Sequence, residues 1–350
     1  MRQIRVGLVG VTGYTGMELA RLLAGHPAFT LVRATSRAEA GKRLAAVYPF
    51  VQGLPLGDLE ITEPDPADLA AACELVFLAV PHGTAMELAG ALRRLGVKVV
   101  DLSADFRLRD PEIYAQWYGL EHSERELLAK EAVFGLPELH AEQIRTAELV
   151  ANPGCYPTAS ILALHPALSR GLVRHEGIVI DAKSGATGAG RKAAVPTLYC
   201  EVADSFRAYN LGRHRHTPEI EQELAGAAGL EDMRISFNTH LLPINRGILA
   251  TAYTTLKEPM ATADAVAVYR EAYAHAPWVR VLDSMPETRF VRGTMFCDIG
   301  LVADPRTGRL LVVSAIDNLC RGASGQALAN ANLMSGLDVD TGLRLAPMMP

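Results

Sequence analysis

The stretch Ile4-Arg5-Val6-Gly7-Leu8-Val9-Gly10-Val11-Thr12-Gly13-Tyr14-Thr15-Gly16 decides the fold of the first part of this chain. Ile4 to Val9 is a compact β-type run, and Thr15 to Ala24 carries apolar residues at helical spacing, so the glycines fall in a strand-to-helix turn. Their spacing, G-x-x-G-x-x-G, is a variant of the dinucleotide fingerprint. Glycine is needed where backbone approaches a pyrophosphate, and the following helix N-terminus offers N–H groups to its charge. Gly10, Thr12, Gly13, Tyr14, Thr15 and Gly16 are therefore expected to bind cofactor; the structural alternative is an ordinary tight turn.

Thr30 to Ala34 returns to strand character and completes a βαβ unit. Leu75 to Val80, a helix-like Thr84 to Leu95, and Val97 to Leu102 repeat the alternation, which predicts a doubly wound parallel sheet over residues 1–150. The second strand ends in Ala34-Thr35-Ser36-Arg37, where NAD-preferring sites usually place a carboxylate. Here Ser36 can hydrogen-bond a 2′-phosphate and Arg37 can pair with it, so NADP(H) is the expected cofactor.

After residue 150 the rhythm changes. Gly177 to Ala182, Arg234 to Leu241, Gly247 to Leu256, Phe296 to Val302 and Leu310 to Ile316 are strand candidates; Thr217 to Ala228, Thr262 to His275 and Ser324 to Met334 are helical. This predicts an α+β domain with a mixed or antiparallel sheet. The 350 residues suffice for two such cores. A net charge of −5 argues against a nucleic-acid surface. Five cysteines without C-x-x-C spacing indicate neither a zinc site nor a disulfide framework. The chain enters a strand at Ile4, which leaves no room for a signal peptide, and no apolar run approaches the ~20 residues that cross a bilayer. A cytoplasmic protein with a small-molecule substrate is expected.

Asn152-Pro153-Gly154-Cys155-Tyr156-Pro157-Thr158 sets one of those cysteines between a short strand, Glu148 to Ala151, and a helix-like run from Thr158 to Leu168. Unpaired N–H groups at a helix start favour thiolate over thiol, which makes Cys155 a candidate nucleophile; the alternative is a buried structural thiol, the commoner setting of a free cysteine. A thiol working with a nicotinamide points to hydride transfer to a thioester formed from an acyl phosphate. The general acid is sought in His214-Arg215-His216, which precedes Thr217-Pro218-Glu219, a helix start with Thr as cap. If that triplet is extended, His214 and His216 project to one side. A His-x-His metal pair lacks further ligands at recognisable spacing, and no metal is expected.

Lys183-Ser184-Gly185-Ala186-Thr187-Gly188-Ala189-Gly190-Arg191-Lys192 follows a strand, and its glycines and hydroxyls suit the cofactor while its cations, Arg191 among them, suit a leaving phosphate. Asp101-Leu102-Ser103-Ala104-Asp105-Phe106-Arg107 ends another strand of the first half. Ligands gather outside such strand ends, which marks Ser103 and Arg107 for substrate; a structural Asp105–Arg107 ion pair is the alternative.

Together with Val80-Pro81-His82-Gly83 and Asp317-Asn318-Leu319-Cys320-Arg321-Gly322-Ala323-Ser324-Gly325-Gln326, these motifs resemble the N-acetyl-gamma-glutamyl-phosphate reductases, over nearly the whole chain. The resemblance implies Cys155 as nucleophile and an active-site histidine at His214 or His216. It implies Asn318 and the helix from Ser324 to Met334 beside the cofactor, where Pro81 and, from the glycine-rich segment, Ser184, Gly185 and Gly188 are also expected. It further implies a Rossmann domain of residues 1–150 and 317–350, an inserted α+β domain of residues 151–316 for substrate and subunit contacts, a C-terminal helix returning to the first domain, and a homodimer or homotetramer. A sister branch reduces the one-carbon-longer aminoadipyl phosphate and tends to carry Asn-Ala where Tyr156-Pro157 stand here, which favours the glutamyl substrate. Aspartate-semialdehyde dehydrogenase and a non-catalytic NADP or redox sensor are the remaining alternatives.

Overall fold

The computed structural model describes residues 2–349. The chain forms two compact units, Met1–Pro153 with Ala323–Arg344, and Gly154–Gly322 with Leu345–Pro350.

The first unit holds seven parallel strands: β1 (Ile4–Val9), β2 (Phe29–Thr35), β3 (Ile61–Thr62), β4 (Leu75–Leu78), β5 (Lys98–Asp101), β6 (Ala132–Phe134) and β7 (Leu149–Ala151). Their order is β3-β2-β1-β4-β5-β7-β6. The chain reverses its direction of growth between β1 and β4, which places a ligand crevice at the carboxyl ends of these two strands. The strands are apolar without alternation, as in Leu75-Val76-Phe77-Leu78, because both sheet faces are covered and all four residues are buried. Residues 103–148, to which periodicity assigns no element, add β6 and the helices Pro111–Tyr118, Arg125–Glu131 and Pro137–Thr146. The returning helix Gly325–Met334 is buried along its whole length.

The second unit holds β8 (Val179–Gly185), β9 (Arg207–Tyr209), β10 (Ser236–Leu242), β11 (Ile248–Thr255), β12 (Val279–Val281), β13 (Cys297–Asp304) and β14 (Arg309–Ile316), ordered β12-β13-β14-β11-β8-β10-β9. The sheet is mixed: β8 with β10 and β12 with β13 run parallel, the other pairs antiparallel. The three-residue edge strands β9 and β12 are too short to leave a periodic signal. The helix Cys155–Ser169 lies against this sheet with twelve residues buried. Pro166 lacks the N–H that would bond the Leu162 carbonyl. The Tyr273 hydroxyl donates to that carbonyl instead, at 2.6 Å, while the Tyr269 hydroxyl takes the Ala163 carbonyl at 2.7 Å. A proline is thus tolerated in a helix that the core requires to be continuous.

The return to the first unit begins at Ala323 rather than at residue 317. Asp317 and Asn318 stay with the second unit because they bond Arg246, Gly247 and Gly293. Among the described residues no helix is long and apolar enough to cross a membrane.

Candidate active site

In the first unit, Gly10 has φ +86°, and a Cβ there would stand 2.2 Å from the Ala79 carbonyl oxygen. A Cβ on Gly16 would stand 2.3 Å from the Gly10 carbonyl oxygen. These two glycines are required by the turn itself. Gly13 is different: its φ of −76° suits any residue, and a Cβ would meet only the Gly10 oxygen, 3.8 Å away. It precedes the helix Tyr14–Leu23, whose first turn has no acidic residue and no side-chain cap. The protein's own packing leaves space there for an anion at the helix start, so the residues fit a dinucleotide. At the end of β2 the buried Ser36 hydroxyl lies 3.0 Å from that of Thr12, and Arg37 is exposed.

Ser103 and Arg107 are both buried. The Ser103 amide and hydroxyl donate to Asp101, both at 2.8 Å. Burial first, then the Asp105 charge, push the Asp101 carboxyl up to about 7. Asp105 accepts the Gly83 and Ala85 amides and the Tyr114 hydroxyl, which secures the Val80-Pro81-His82-Gly83 turn, where Gly83 has φ +80°. Arg107 donates to the carbonyls of Asn152 (2.7 Å) and Leu102 (2.9 Å). Asn152 also donates to the Ala323 carbonyl and accepts from Asn330. Arg107 thereby holds the strand end that leads into the cysteine motif.

In the second unit, Cys155 is the first residue of its buried helix, with Gly154 as extended N-cap at φ −69°, ψ 159°. The Gly154 amide donates to Oε1 of Glu219 at 2.8 Å, and Glu219 is buried in the helix Thr217–Ala228. Gly322 closes the other side. A Cβ at position 322 would lie 2.6 Å from the Cβ of Cys155. The Tyr156 hydroxyl meets that of Tyr209 at 2.9 Å. The Tyr156 ring presents its neighbours with edge contacts: His214 at 5.3 Å, His216 at 6.0 Å and Phe237 at 5.5 Å between centroids.

The His214-Arg215-His216 triplet is a turn and not an extended segment. His216 has helical angles, φ −80° and ψ −9°, and Thr217 is the first helical residue rather than the cap. The two imidazoles still come together, 4.9 Å apart, because the turn lets the His216 amide donate to Nδ1 of His214 at 3.1 Å. Burial among Tyr156, Tyr209 and Phe237, with the Arg215 charge next, lowers His214 to about 4. His214 is therefore neutral near pH 7, with its proton on Nε2.

The glycine-rich segment continues β8 through Gly185 and then forms a tight turn at Ala186–Ala189. Lys183 is held by Asp181 at 2.6 Å, while Arg191 lies in the exposed bend beyond the turn. A Cβ on Gly188 would stand 3.1 Å from the Ser184 hydroxyl and 3.9 Å from Nδ2 of Asn318, so these three residues converge. Asn318 accepts the Gly247 amide and donates to the Thr187 hydroxyl. Asp317, fully buried, accepts from Arg246, Leu319, Cys320 and Gly293, and its carbonyl takes the Gly322 amide. The turn carrying Asn318 and Gly322 is thus tied to the wall around Cys155. Glu219 and Gly322 lie inside recognisable motifs, but nothing in their residue type assigns them a role from sequence. Tyr209 carries no sequence signal at all.

A family model described as semialdehyde dehydrogenase, NAD binding domain, matches residues 5–147, and one described as semialdehyde dehydrogenase, dimerisation domain, matches residues 155–318. A curated protein of Pelotomaculum thermopropionicum named N-acetyl-gamma-glutamyl-phosphate reductase is 50% identical over 342 residues, 97% of each chain. One of the same name from Symbiobacterium thermophilum is 51% identical over 351 residues, 99% of each chain. Among solved structures, aspartate semialdehyde dehydrogenase II of Vibrio cholerae complexed with ASA aligns with a TM-score of 0.71 at 15% identity, covering 96% of this chain and 99% of that one. The Candida albicans aspartate semialdehyde dehydrogenase with NADP aligns with a TM-score of 0.66 at 16% identity, covering 95% and 98%. At these identities the structures establish the fold alone.

Proposed function

The chain belongs to the N-acetyl-gamma-glutamyl-phosphate reductases of the semialdehyde dehydrogenase family, and from that membership we infer the roles of its residues in the reaction. It is an NADPH-dependent acyl-phosphate reductase that converts N-acetyl-gamma-glutamyl phosphate to N-acetylglutamate semialdehyde and phosphate. The observation that carries the assignment of roles is Cys155 at the start of a buried helix, with the histidine pair packed on the adjacent Tyr156.

Cys155 Sγ attacks the acyl carbon, the bond to the phosphate oxygen breaks, and a thioester remains on the enzyme. Bound NADPH supplies the hydride that reduces this thioester. The resulting thiohemiacetal alkoxide expels the Cys155 thiolate as its C–S bond breaks, the aldehyde departs, and one proton delivered to the sulfur restores the thiol. His214, neutral with Nδ1 already accepting, acts only as a fixed Nε2–H donor that orients an acceptor. Proton exchange then falls to His216. Glu219 fixes the peptide that sets the direction of Cys155. Gly10, Thr12, Gly13, Tyr14, Thr15 and Gly16 cradle the pyrophosphate, and Ser36 with Arg37 take the 2′-phosphate. Pro81, Ser184, Gly185, Gly188 and Asn318 complete the cofactor's surroundings, and Arg191 receives the leaving phosphate. Ser103 and Arg107 act on the substrate only indirectly, by holding the strand ends that precede the site.

We further propose a homodimer, supported by the match to a dimerisation domain, and a cytoplasmic location, supported by five cysteines scattered without the spacing of a disulfide framework.

The test is initial-rate reduction of NADP by N-acetylglutamate semialdehyde plus phosphate, beside the one-carbon-longer aldehyde. Cys155→Ala is expected to abolish turnover, His216→Gln to flatten the pH profile, and His214→Gln to lower the rate without moving the profile. Full activity in Cys155→Ala would end the mechanism, and an unchanged profile in His216→Gln would reverse the histidine assignment.

A further inference from the structure

We propose that residues 195–211 form the surface on which a second copy of this chain docks, and that docking steadies the catalytic histidine segment. The proposal rests on the homodimer reading and names its surface.

The segment Val195-Pro196-Thr197-Leu198-Tyr199-Cys200-Glu201-Val202-Ala203-Asp204-Ser205-Phe206-Arg207-Ala208-Tyr209-Asn210-Leu211 exposes large apolar side chains at unusual density. Tyr199 is 84% exposed, Val195 67%, Phe206 59%, Leu211 52% and Leu198 49%. The residues belong to one small lobe. Arg207 donates to the carbonyls of both Pro196 and Glu201, tying strand β9 back onto the preceding turns. Short-range amide bonds, from Leu198 to Val195, Val202 to Leu198, Ala203 to Tyr199 and Ser205 to Val202, keep the intervening residues compact. Val202 alone points inward and is buried. A lobe that spends its one buried apolar residue on itself and turns five outward is built to be covered.

Two more features place it at an interface. β9 pairs only with β10 and forms an edge of the seven-stranded sheet. Such an edge leaves backbone donors and acceptors open on one side. Asp204 and Asn210, with φ of 57° and 48°, bracket β9 and are the only non-glycine residues with positive φ among those described. Local strain of this kind persists where surrounding contacts stabilise it. The lobe lies wholly within the matched dimerisation domain, and an isologous dimer presents the same patch on both copies, which favours a second copy of this chain as its cover.

The consequence for catalysis follows from chain distance. Phe206 is three residues from Tyr209, whose hydroxyl bonds that of Tyr156, the residue after Cys155. Tyr209 also packs on His214 at 5.8 Å. Holding the lobe therefore holds one wall of the histidine pocket.

The experiment compares the wild-type chain with Val195→Asp/Tyr199→Asp by sedimentation over a dilution series, with the reverse assay run on the same samples. Both positions are too exposed for the substitutions to disturb the core. Leu95→Asp, at a 54% exposed position in the first unit, serves as control. The expected result is an association constant about 100-fold lower in the double variant, as for loss of an aromatic anchor, with the control unchanged. kcat should fall on dilution as the variant dissociates, with KM constant. A wild-type chain that stays monomeric throughout would overturn the homodimer reading and this proposal with it. A double variant that associates like wild type, or a control that weakens as much, would overturn the surface and leave the homodimer standing. Dissociation with kcat unchanged would overturn the link to the histidines.

Discussion

Gly322→Ala gives the sharpest test of how the site is assembled. The added methyl would sit 2.6 Å from Cβ and 3.0 Å from Cα of Cys155, and 3.4 Å from Cδ1 of Ile316. Carbon atoms rest at about 3.5–4.0 Å, so the nucleophile and the turn must part by about 1 Å. Neither can yield easily. Cys155 begins a helix whose N-cap amide is bonded by Glu219, and the Gly322 amide is bonded by the Asp317 carbonyl. A 1 Å displacement of a reacting group costs on the order of 100-fold in rate, and overpacking costs about 1–3 kcal/mol of stability. The expected outcome in the phosphate-dependent reverse assay is kcat reduced about 100-fold, with NADPH binding, measured by fluorescence, unchanged. Gly226→Ala is the matching control. Gly226 lies in the helix Thr217–Ala228, and a methyl added there would meet nothing within 4 Å, so alanine should raise stability by about 1 kcal/mol and leave kcat alone. Wild-type kcat in Gly322→Ala would refute the claim that this close approach fixes the nucleophile.

Glu219→Ala strands the buried Gly154 amide and should cost about 1–3 kcal/mol in denaturant unfolding together with most of kcat; Glu219→Gln, which keeps an acceptor, should restore most of both. Asp101 has a folded-state pKa raised to about 7, above its unfolded value of about 3.9. The folded chain therefore keeps a proton that the unfolded chain loses, and stability falls as pH rises from about 4 to about 7. Asp101→Asn, which can still bond both Ser103 groups, should flatten that slope and be more stable than wild type at pH 8, by up to about 4 kcal/mol in thermal unfolding; an unaltered slope would discount Asp101. Arg37→Ala should raise KM for NADPH about tenfold, the scale of one charge-assisted contact of about 1.5 kcal/mol, while leaving KM for NADH nearly constant; equal effects on both cofactors would remove Arg37 from the 2′-phosphate site.

Much is legible in the sequence because its signals are local. The alternation of short apolar runs and helical periods over residues 4–102 reflects a sheet buried on both faces, and it marks β1, β2, β4 and β5 to within two residues at either end. The glycines of Gly10 to Gly16 are legible as a tight strand-to-helix turn because Gly10 has a positive φ and a Cβ on Gly16 would stand 2.3 Å from backbone. Cys155 stands out because a thiol at a strand-to-helix junction meets unpaired helix N–H groups that favour thiolate. By itself the sequence also determined the family, through motifs spread over the whole chain.

Tertiary structure decided what depends on partners distant along the chain. The His214–His216 segment is a turn, because a hydrogen bond from the His216 amide to His214 and packing on Tyr156 outweigh the extended form. The roles of Glu219, Gly322 and Asp317 rest on contacts with residues far along the chain, which no local period encodes. Residues 317–322 follow the second unit because the carboxylate of Asp317, once buried, needs donors, and Arg246 and the Gly293 amide supply them there. Ser103 and Arg107, which their place at a strand end marks as ligand groups, are buried polar groups taken up by Asp101 and by backbone carbonyls. Residue type and local spacing fix which chemistry is present, whereas burial and long-range hydrogen bonding fix which of those groups remains available to perform it.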